Sequence, residues 1–383
     1  RYFDNDGAGR LNELDVGLGD TFNQRSVLTE DLDGDGWLDL VLTTTQGEQA
    51  GLFRNRGDGT FEDLTPNSPV APIRRTWGGA IFDYDNDGLP DLFLAKDVQP
   101  EVDQLLHNDG SFSFADVTAD SGVSNTGHAM GIAVADVDAD GWLDFYVTNW
   151  GHHALWKNTE GEFVDVANAW GVGTAGGASG WGTFFFDADH DGDLDLFVAN
   201  GAGFLASDPN TPVHPSNEKN RFFLQGRSDD DQPAYQEVGR EVGLDDSDAA
   251  LGAAWGDLDG DGWVDIVVAN SHGSSLRVFR NLGTESSGGP PLRIDLHGGD
   301  SNPDALGARV VMNGCDVQQV RVRTTGASVL SSGERVLHFG LGECTDDLDV
   351  SIHWPSGAVE ELLLPVPEWG DEPLRIVEGE SGS

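Results

Sequence analysis

The chain has 383 residues, 38% of them hydrophobic, and a formal net charge of −46 at pH 7. So negative a surface repels phosphate backbones and anionic lipid, which argues against nucleic acid and membrane surfaces as partners. No apolar run reaches the roughly 18 residues that a membrane-spanning helix needs, so membrane insertion is excluded as well.

Asp supplies 48 of the 67 acidic residues, beside 52 Gly. Asp and Gly favour turns and hard-cation ligation, so the acidity reads as a ligand inventory and not as a disordered tail.

In chain order, the first recognisable strands, Tyr2–Asn5 and Leu11–Leu14, flank a Gly-bearing turn. They match only the second half of a unit that then recurs. Numbering that starts inside a repeat is expected of a mature or trimmed product. A start in mid-unit also predicts that later strands complete this sheet and close a ring, because an open one would leave edge strands exposed.

The full unit is marked by acidic loops beginning at Asp31, Asp83, Asp136, Asp187 and Asp257, at steps of 52, 53, 51 and 70 residues. The last step contains an insertion over 201–220 with three prolines and no apolar periodicity. A small-residue strand enters most loops (78–82, 131–134, 182–185 and 252–255), while Arg25-Ser26-Val27 replaces the Gly-x-Ala stretch in the first. An almost continuous apolar strand leaves each loop (38–42, 92–95, 145–148, 196–199 and 266–269), too short for a helix and rich in Val and Phe. A third strand ending in Asn, as at Asn55 and Asn158, a Gly turn and a fourth strand complete the unit. Four antiparallel strands per roughly 50 residues in tandem predict an all-β fold, a β-propeller of six or seven blades over 1–285. Residues 286–383 read as a separate small β-domain of about seven short strands, in which His338, Phe339 and Trp354 are expected in the core.

Each loop has the form Asp-x-Asp-x-Asp-Gly-x-x-Asp. Carboxylates at positions one, three and five converge, Gly at six permits the reversal, the carbonyl at seven turns inward, and the Asp at nine closes the shell. The candidate ligands are Asp31, Asp33, Asp35, Trp37 and Asp39 in the first loop, and Asp83, Asp85, Asp87, Leu89 and Asp91 in the second. They continue with Asp136, Asp138, Asp140, Trp142 and Asp144 in the third, and Asp187, Asp189, Asp191, Asp193 and Asp195 in the fourth. The fifth offers Asp257, Asp259, Asp261, Trp263 and Asp265. Oxygens alone at this density suit Ca²⁺, whereas Mg²⁺ resists giving up its waters to such a cage. An EF-hand is rejected because position twelve, which needs a bidentate Glu, holds Leu42, Leu94, Val147, Val198 and Val268. About five Ca²⁺ ions are expected, chiefly structural.

Loops alternate between the two faces of a propeller, so the segments after each second strand fall opposite the ion loops. They carry a candidate ligand face of Arg74, Trp77, His128, Asn149, Trp150, His152, His153, Trp181, Asn200, Asn270 and His272. Rings, amides and imidazoles there suit a protein or glycan ligand, or a second metal. The two cysteines, Cys315 and Cys344, are expected to form a disulfide in an extracellular setting and to be buried thiols otherwise.

The repeats resemble the FG-GAP/VCBS repeats of integrin-α-type propellers. The runs Leu306-Gly307-Ala308-Arg309-Val310, Leu337-His338-Phe339-Gly340-Leu341-Gly342 and Trp354-Pro355-Ser356-Gly357 resemble, in family order, the ASPIC/UnbV domain. The resemblance implies a secreted protein, extracellular, periplasmic or on the cell surface, with calcium binding and an adhesive role. It implies no catalysis, and no nucleophile elbow, HExxH or P-loop is present. A carbohydrate-active or metal-dependent enzyme using the face opposite the ion loops is the alternative, by analogy of fold alone.

Overall fold

The computed structural model describes residues 2–5, 7–18, 24–44, 49–70, 75–97, 101–173, 179–201, 218–271, 275–283, 291–314, 317–325, 328–329, 331–365 and 372–380. The architecture is a β-propeller followed by a smaller β-domain.

A two-stranded sheet of β1 (Tyr2–Asn5) and β2 (Leu11–Leu14) comes first. Blade one is β3 (Gln24–Glu30), β4 (Asp39–Thr44), β5 (Gly51–Asn55) and β6 (Phe61–Asp63), and blade two β7 (Thr76–Phe82), β8 (Asp91–Lys96), β9 (Gln104–Asn108) and β10 (Phe114–Asp116). Blade three is β11 (Ala129–Ala135), β12 (Asp144–Asn149), β13 (Ala154–Thr159) and β14 (Glu162–Asp165). Blade four comprises β15 (Gly180–Phe186), β16 (Asp195–Asn200), β17 (Arg221–Arg227) and β18 (Pro233–Glu237), and blade five β19 (Ala250–Gly256), β20 (Asp265–Asn270) and β21 (Arg277–Phe279). All of these pairs are antiparallel.

Inner strands pack in the order β3, β7, β11, β15, β19. They are small-residue strands because their backbones nearly touch. A Cβ on Gly131 would lie 2.2 Å from the carbonyl oxygen of Trp181, and one on Gly78 2.6 Å from that of Met130. Ser26 takes this place in blade one, where its N–H donates to Thr43 Oγ1 at 2.8 Å, as Gly131 N–H donates to Thr148 Oγ1 at 2.9 Å. The departure from Gly-x-Ala is therefore absorbed without loss of pairing. Second strands are buried throughout in blades two to four, which explains their continuous apolar sequence. The stretch after β2 docks on blade one through Phe61 N–H to the Val16 carbonyl, 2.7 Å, as the stretch after β10 docks on blade three through Phe163 N–H to Ser121. The two-stranded sheet thus holds the place of a blade preceding blade one.

The C-terminal strands are β22 (Leu292–His297), β23 (Arg309–Gly314), β24 (Val317–Val322), β25 (Leu337–Phe339), β26 (Leu348–His353), β27 (Val359–Leu364) and β28 (Leu374–Val377). They form two sheets, β25-β22-β28, with β22 and β28 parallel, and β24-β23-β26-β27. Among the described residues no C-terminal strand pairs with β1 or β2, so the expected completion of the first sheet is not seen among them. Phe339 and Trp354 belong to the domain's own core, and His338 is buried beside it. Cys344 is disulfide-bonded; Cys315 lies outside the described residues. Among the described residues no helix is long and apolar enough to cross a membrane.

Candidate metal centres and the opposite face

Each acidic loop joins the first strand of a blade to the second, and its carboxylates divide the work. The position-one Asp holds the turn. Asp31 accepts the N–H groups of Asp35 and Gly36 at 3.0 and 2.8 Å, and Asp83, Asp136 and Asp257 repeat the pattern. Gly at position six takes φ of +87° to +96° in all five loops, a conformation that costs other residues strain. The position-five Asp accepts the N–H of position seven, at 3.0 Å for Trp37, 2.8 Å for Leu89, 2.9 Å for Trp142 and Asp193, and 3.0 Å for Trp263. The position-nine Asp is at most 2% exposed and spends both oxygens on backbone. One oxygen of Asp144 takes the Val137 N–H at 3.1 Å and the other the Asn158 N–H at 2.7 Å.

The position-three oxygens remain. Oδ1 of Asp33, Asp85, Asp138 and Asp189 is buried without a hydrogen-bond partner, as is Oδ1 of Asp187. One ligand atom from each of Asp31, Asp33 and Asp39 lies within 4.8 Å of the others, and so do those of Asp83, Asp85 and Asp87, of Asp136, Asp138 and Asp144, and of Asp187, Asp189 and Asp195. Buried, unpartnered carboxylate oxygens at that spacing fit a metal ion. Burial pushes these groups up: Asp39 and Asp187 to about 7, Asp91 to about 8, and Asp83 and Asp136 to about 6. A cation would relieve that penalty.

Two features were not read from sequence. First, a basic residue from the third strand leans over most loops. Arg54 stands 2.6 Å from Asp33 and 3.0 Å from Asp35, and Arg280 2.6 Å from Asp259 and 2.8 Å from Asp261. Lys157 pairs with Asp138 and Asp140, and His107 Nδ1 lies 3.3 Å from Asp85 and 3.2 Å from Asp91. The signal was available, since each of these residues directly precedes an Asn at or beside the end of the third strand. Second, the C-terminal domain sits on the loop face. Arg293 meets Asp257 at 2.8 Å, Arg309 reaches the Gly141 carbonyl at 2.5 Å, and Gly342 N–H donates to the His190 carbonyl at 2.8 Å. The segment from 323 onward enters the ring, where Ser328 N–H reaches Ile132 O at 2.6 Å and Ser328 Oγ accepts the Thr183 N–H at 3.0 Å. Half-buried Arg321 lies within electrostatic reach of Asp187 and Asp136 there.

The opposite face brings together part of the predicted set. Trp77 Nε1 donates to Asp97 at 2.5 Å, His128 Nδ1 lies 2.7 Å from the other oxygen of Asp97, and the His128 and Trp150 rings are 5.6 Å apart. Trp77 also meets Trp181 edge-on at 5.4 Å, with Arg25 over its ring at 4.1 Å, beside a cavity of about 300 Å³. A second, open groove of about 510 Å³ is lined by Asn125, Thr126, Trp150, His152, Trp156 and Asp165, with His152 Nε2 3.0 Å from Asp165. Five other candidates turn polar groups onto the protein's own backbone. Asn149 and His153 are wholly buried and joined, Asn149 N–H to His153 Nδ1 at 3.0 Å; buried Asn200 donates its side-chain amide to the Lys219 carbonyl and its backbone N–H to Asn220 Oδ1, and Trp181 Nε1 donates to the Gly201 carbonyl. Asn270 donates to the Ser275 carbonyl. Strand ends need these groups for their own backbone, which the residue types alone did not reveal. Arg74 and His272 lie outside the described residues. Asp97 stands where Trp150 stands one repeat later, and only the pairing of the repeats makes it visible.

Residues 31–94, 83–147 and 136–198 match the model of the FG-GAP-like repeat, and residues 298–381 that of ASPIC and UnbV. Cartilage acidic protein 1 of Homo sapiens is 28% identical over 322 residues, covering 79% of this chain and 44% of that protein. Its Xenopus tropicalis counterpart is 28% identical over 298 residues, covering 74% and 42%. The chain thus spans less than half the length of the curated relatives it matches. Among solved structures, the BP39L lectin from Burkholderia pseudomallei aligns with a TM-score of 0.40 and 11% identity, over 92% of this chain and 99% of that one. That score is too low to carry a conclusion.

Proposed function

Since this chain is built of FG-GAP-like repeats followed by an ASPIC and UnbV domain, we propose that it is a secreted, calcium-stabilised recognition module that takes a protein or glycan ligand on the face opposite its ion loops. One observation carries the reading. The C-terminal domain occupies the loop face and enters the ring from that side. The opposite face keeps an open groove with two indoles, an imidazole, a carboxylate and an amide, a mixture suited to orienting a polar ligand against aromatic surface. The disulfide at Cys344 supports an oxidising compartment. Calcium would be held by the position-one, -three and -five carboxylates, where it supplies the positive charge that the buried oxygens lack.

Glycan and peptide arrays probed with the calcium-loaded chain test the proposal. Trp150→Ala and His152→Ala should remove binding while the melting temperature holds. Binding untouched by either variant would place recognition elsewhere. The His152–Asp165 pair favours one second reading, acid–base chemistry in the groove. Turnover of an array ligand, lost in Asp165→Asn, would establish it.

A further inference from the structure

We propose that the five loops bind their cation with unequal affinity, and that the third-strand residue preceding the blade's terminal amide sets the ranking. The fourth loop, which has Leu224 at that place, is the tight site. The inference rests on the calcium reading above and adds to it which site fills first.

The equivalence of these residues is structural. The N–H of Asn55, Asn108, Asn158, Gln225 and Asn281 donates to Oδ1 of the position-nine Asp in its own blade, at 2.7 to 2.9 Å. The preceding residues are therefore Arg54, His107, Lys157, Leu224 and Arg280. Guanidinium or ammonium nitrogens lie against the position-three and -five carboxylates of loops one, three and five. These are the oxygens a Ca²⁺ ion would approach to about 2.3–2.6 Å. An incoming ion must expel that internal cation or accept a like charge a few ångströms away.

Leu224 brings no charge. Among the described residues Asp189 and Asp191 have no basic partner, and Oδ1 of Asp187, in a side chain 3% exposed, and Oδ1 of Asp189 are unpartnered. Arg227 touches Asp193, 3.2 Å away, whose expected ligand is its main-chain carbonyl. Arg321 faces Asp187, but it faces Asp136 of loop three as well and so does not separate those two loops, whereas Lys157 does. Asp193 also gives this loop a fifth carboxylate. Loop five lies at the other extreme, with Arg280 over two of its acids and Arg293 on a third.

The test is a calorimetric Ca²⁺ titration of the full, chelator-stripped chain at neutral pH. One site should bind on the order of tenfold more tightly than the others, and Asp189→Asn should delete it. Lys157→Met, which removes the internal cation of loop three, should raise the tight class from one site to two. Leu224→Lys should abolish that class; because Leu224 packs against the blade core, Lys157→Met decides the matter should that variant fail to fold. A single class of equal sites in the parent chain, or an unchanged tight class in Lys157→Met, overturns the ranking and leaves calcium binding standing. No heat at any site overturns both.

Discussion

The side-chain amide of Asn158 donates to the carbonyl oxygen of Tyr84 across 2.8 Å, although 74 residues separate the two in sequence. Tyr84 is position two of the previous blade's acidic loop, and the relationship recurs. Asn108 reaches Leu32 at 3.0 Å, Gln225 reaches Val137 at 3.0 Å, and Asn281 reaches Ala188 at 2.8 Å. Each of the first four loops is thereby fastened to the next blade, and these ion loops become joints of the ring as well as turns.

Asn158→Ala removes the donor to Tyr84 and to Leu143 at a fully buried position. Carbonyls left unsatisfied there should cost about 2–4 kcal/mol. Asn281→Ala, at a partly exposed position, should cost less because water replaces the amide. Urea unfolding midpoints of the two variants check the order.

Two carboxylates of one loop should respond oppositely to chelation. Asp195 accepts the Gln225 and Ala188 N–H groups, both at 2.9 Å, so Asp195→Ala should destabilise the chain by about 2–5 kcal/mol with or without calcium. Asp189 has an oxygen bonded to nothing. Asp189→Asn should therefore leave the chelated protein unchanged or slightly firmer and lower the melting temperature only in calcium. Thermal melts of both variants in EDTA and in calcium distinguish the roles.

Ser328 is 4% exposed and holds the Thr183 amide inside the ring. Ser328→Ala should leave that N–H without a partner, at about 1–3 kcal/mol. Hydrogen exchange should quicken at Thr183 before the outer strands are affected, because the loss is local to the inserted segment.

His153 is wholly buried, and burial, aided by the nearby charge of Arg221, lowers its pKa to about 3. Its Nδ1 accepts the Asn149 N–H, which requires the neutral ring. The unfolded chain, with an ordinary histidine near 6.5, binds the proton more readily than the folded one between pH 6.5 and about 3. Stability from this group is thus complete above pH 6.5 and drains as pH falls through that window. His153→Gln, which can keep an acceptor, should flatten this part of the pH–stability curve measured by urea titration.

The sequence by itself determined the repeat, the strand order within a blade and the acidic loops, because these are local. Asp-x-Asp-x-Asp-Gly closes a turn on its own backbone, and a five-residue apolar run bounded by turns, rich in Val and Phe, reads as a buried strand. It also placed Phe339 and Trp354 in the C-terminal core and marked Trp77, His128, Trp150 and His152 as opposite-face groups. Only the tertiary structure decided what each of these does. Asn149 and His153 look like ligands in sequence and are wholly buried, the Asn149 side chain bonded to Asn125 and His153 Nδ1 to the Asn149 backbone N–H, whereas Asp97, Arg25 and Asp165 look ordinary and gather the aromatic groups. An Asn near the end of the third strand, as at Asn158, was legible as a strand stop, yet its reach to the neighbouring blade depends on packing across more than 70 residues. The same holds for the C-terminal domain. Nothing local in 323–336 says that Ser328 will meet Ile132 and Thr183 inside the ring, since that contact exists only once the blades have closed around the segment.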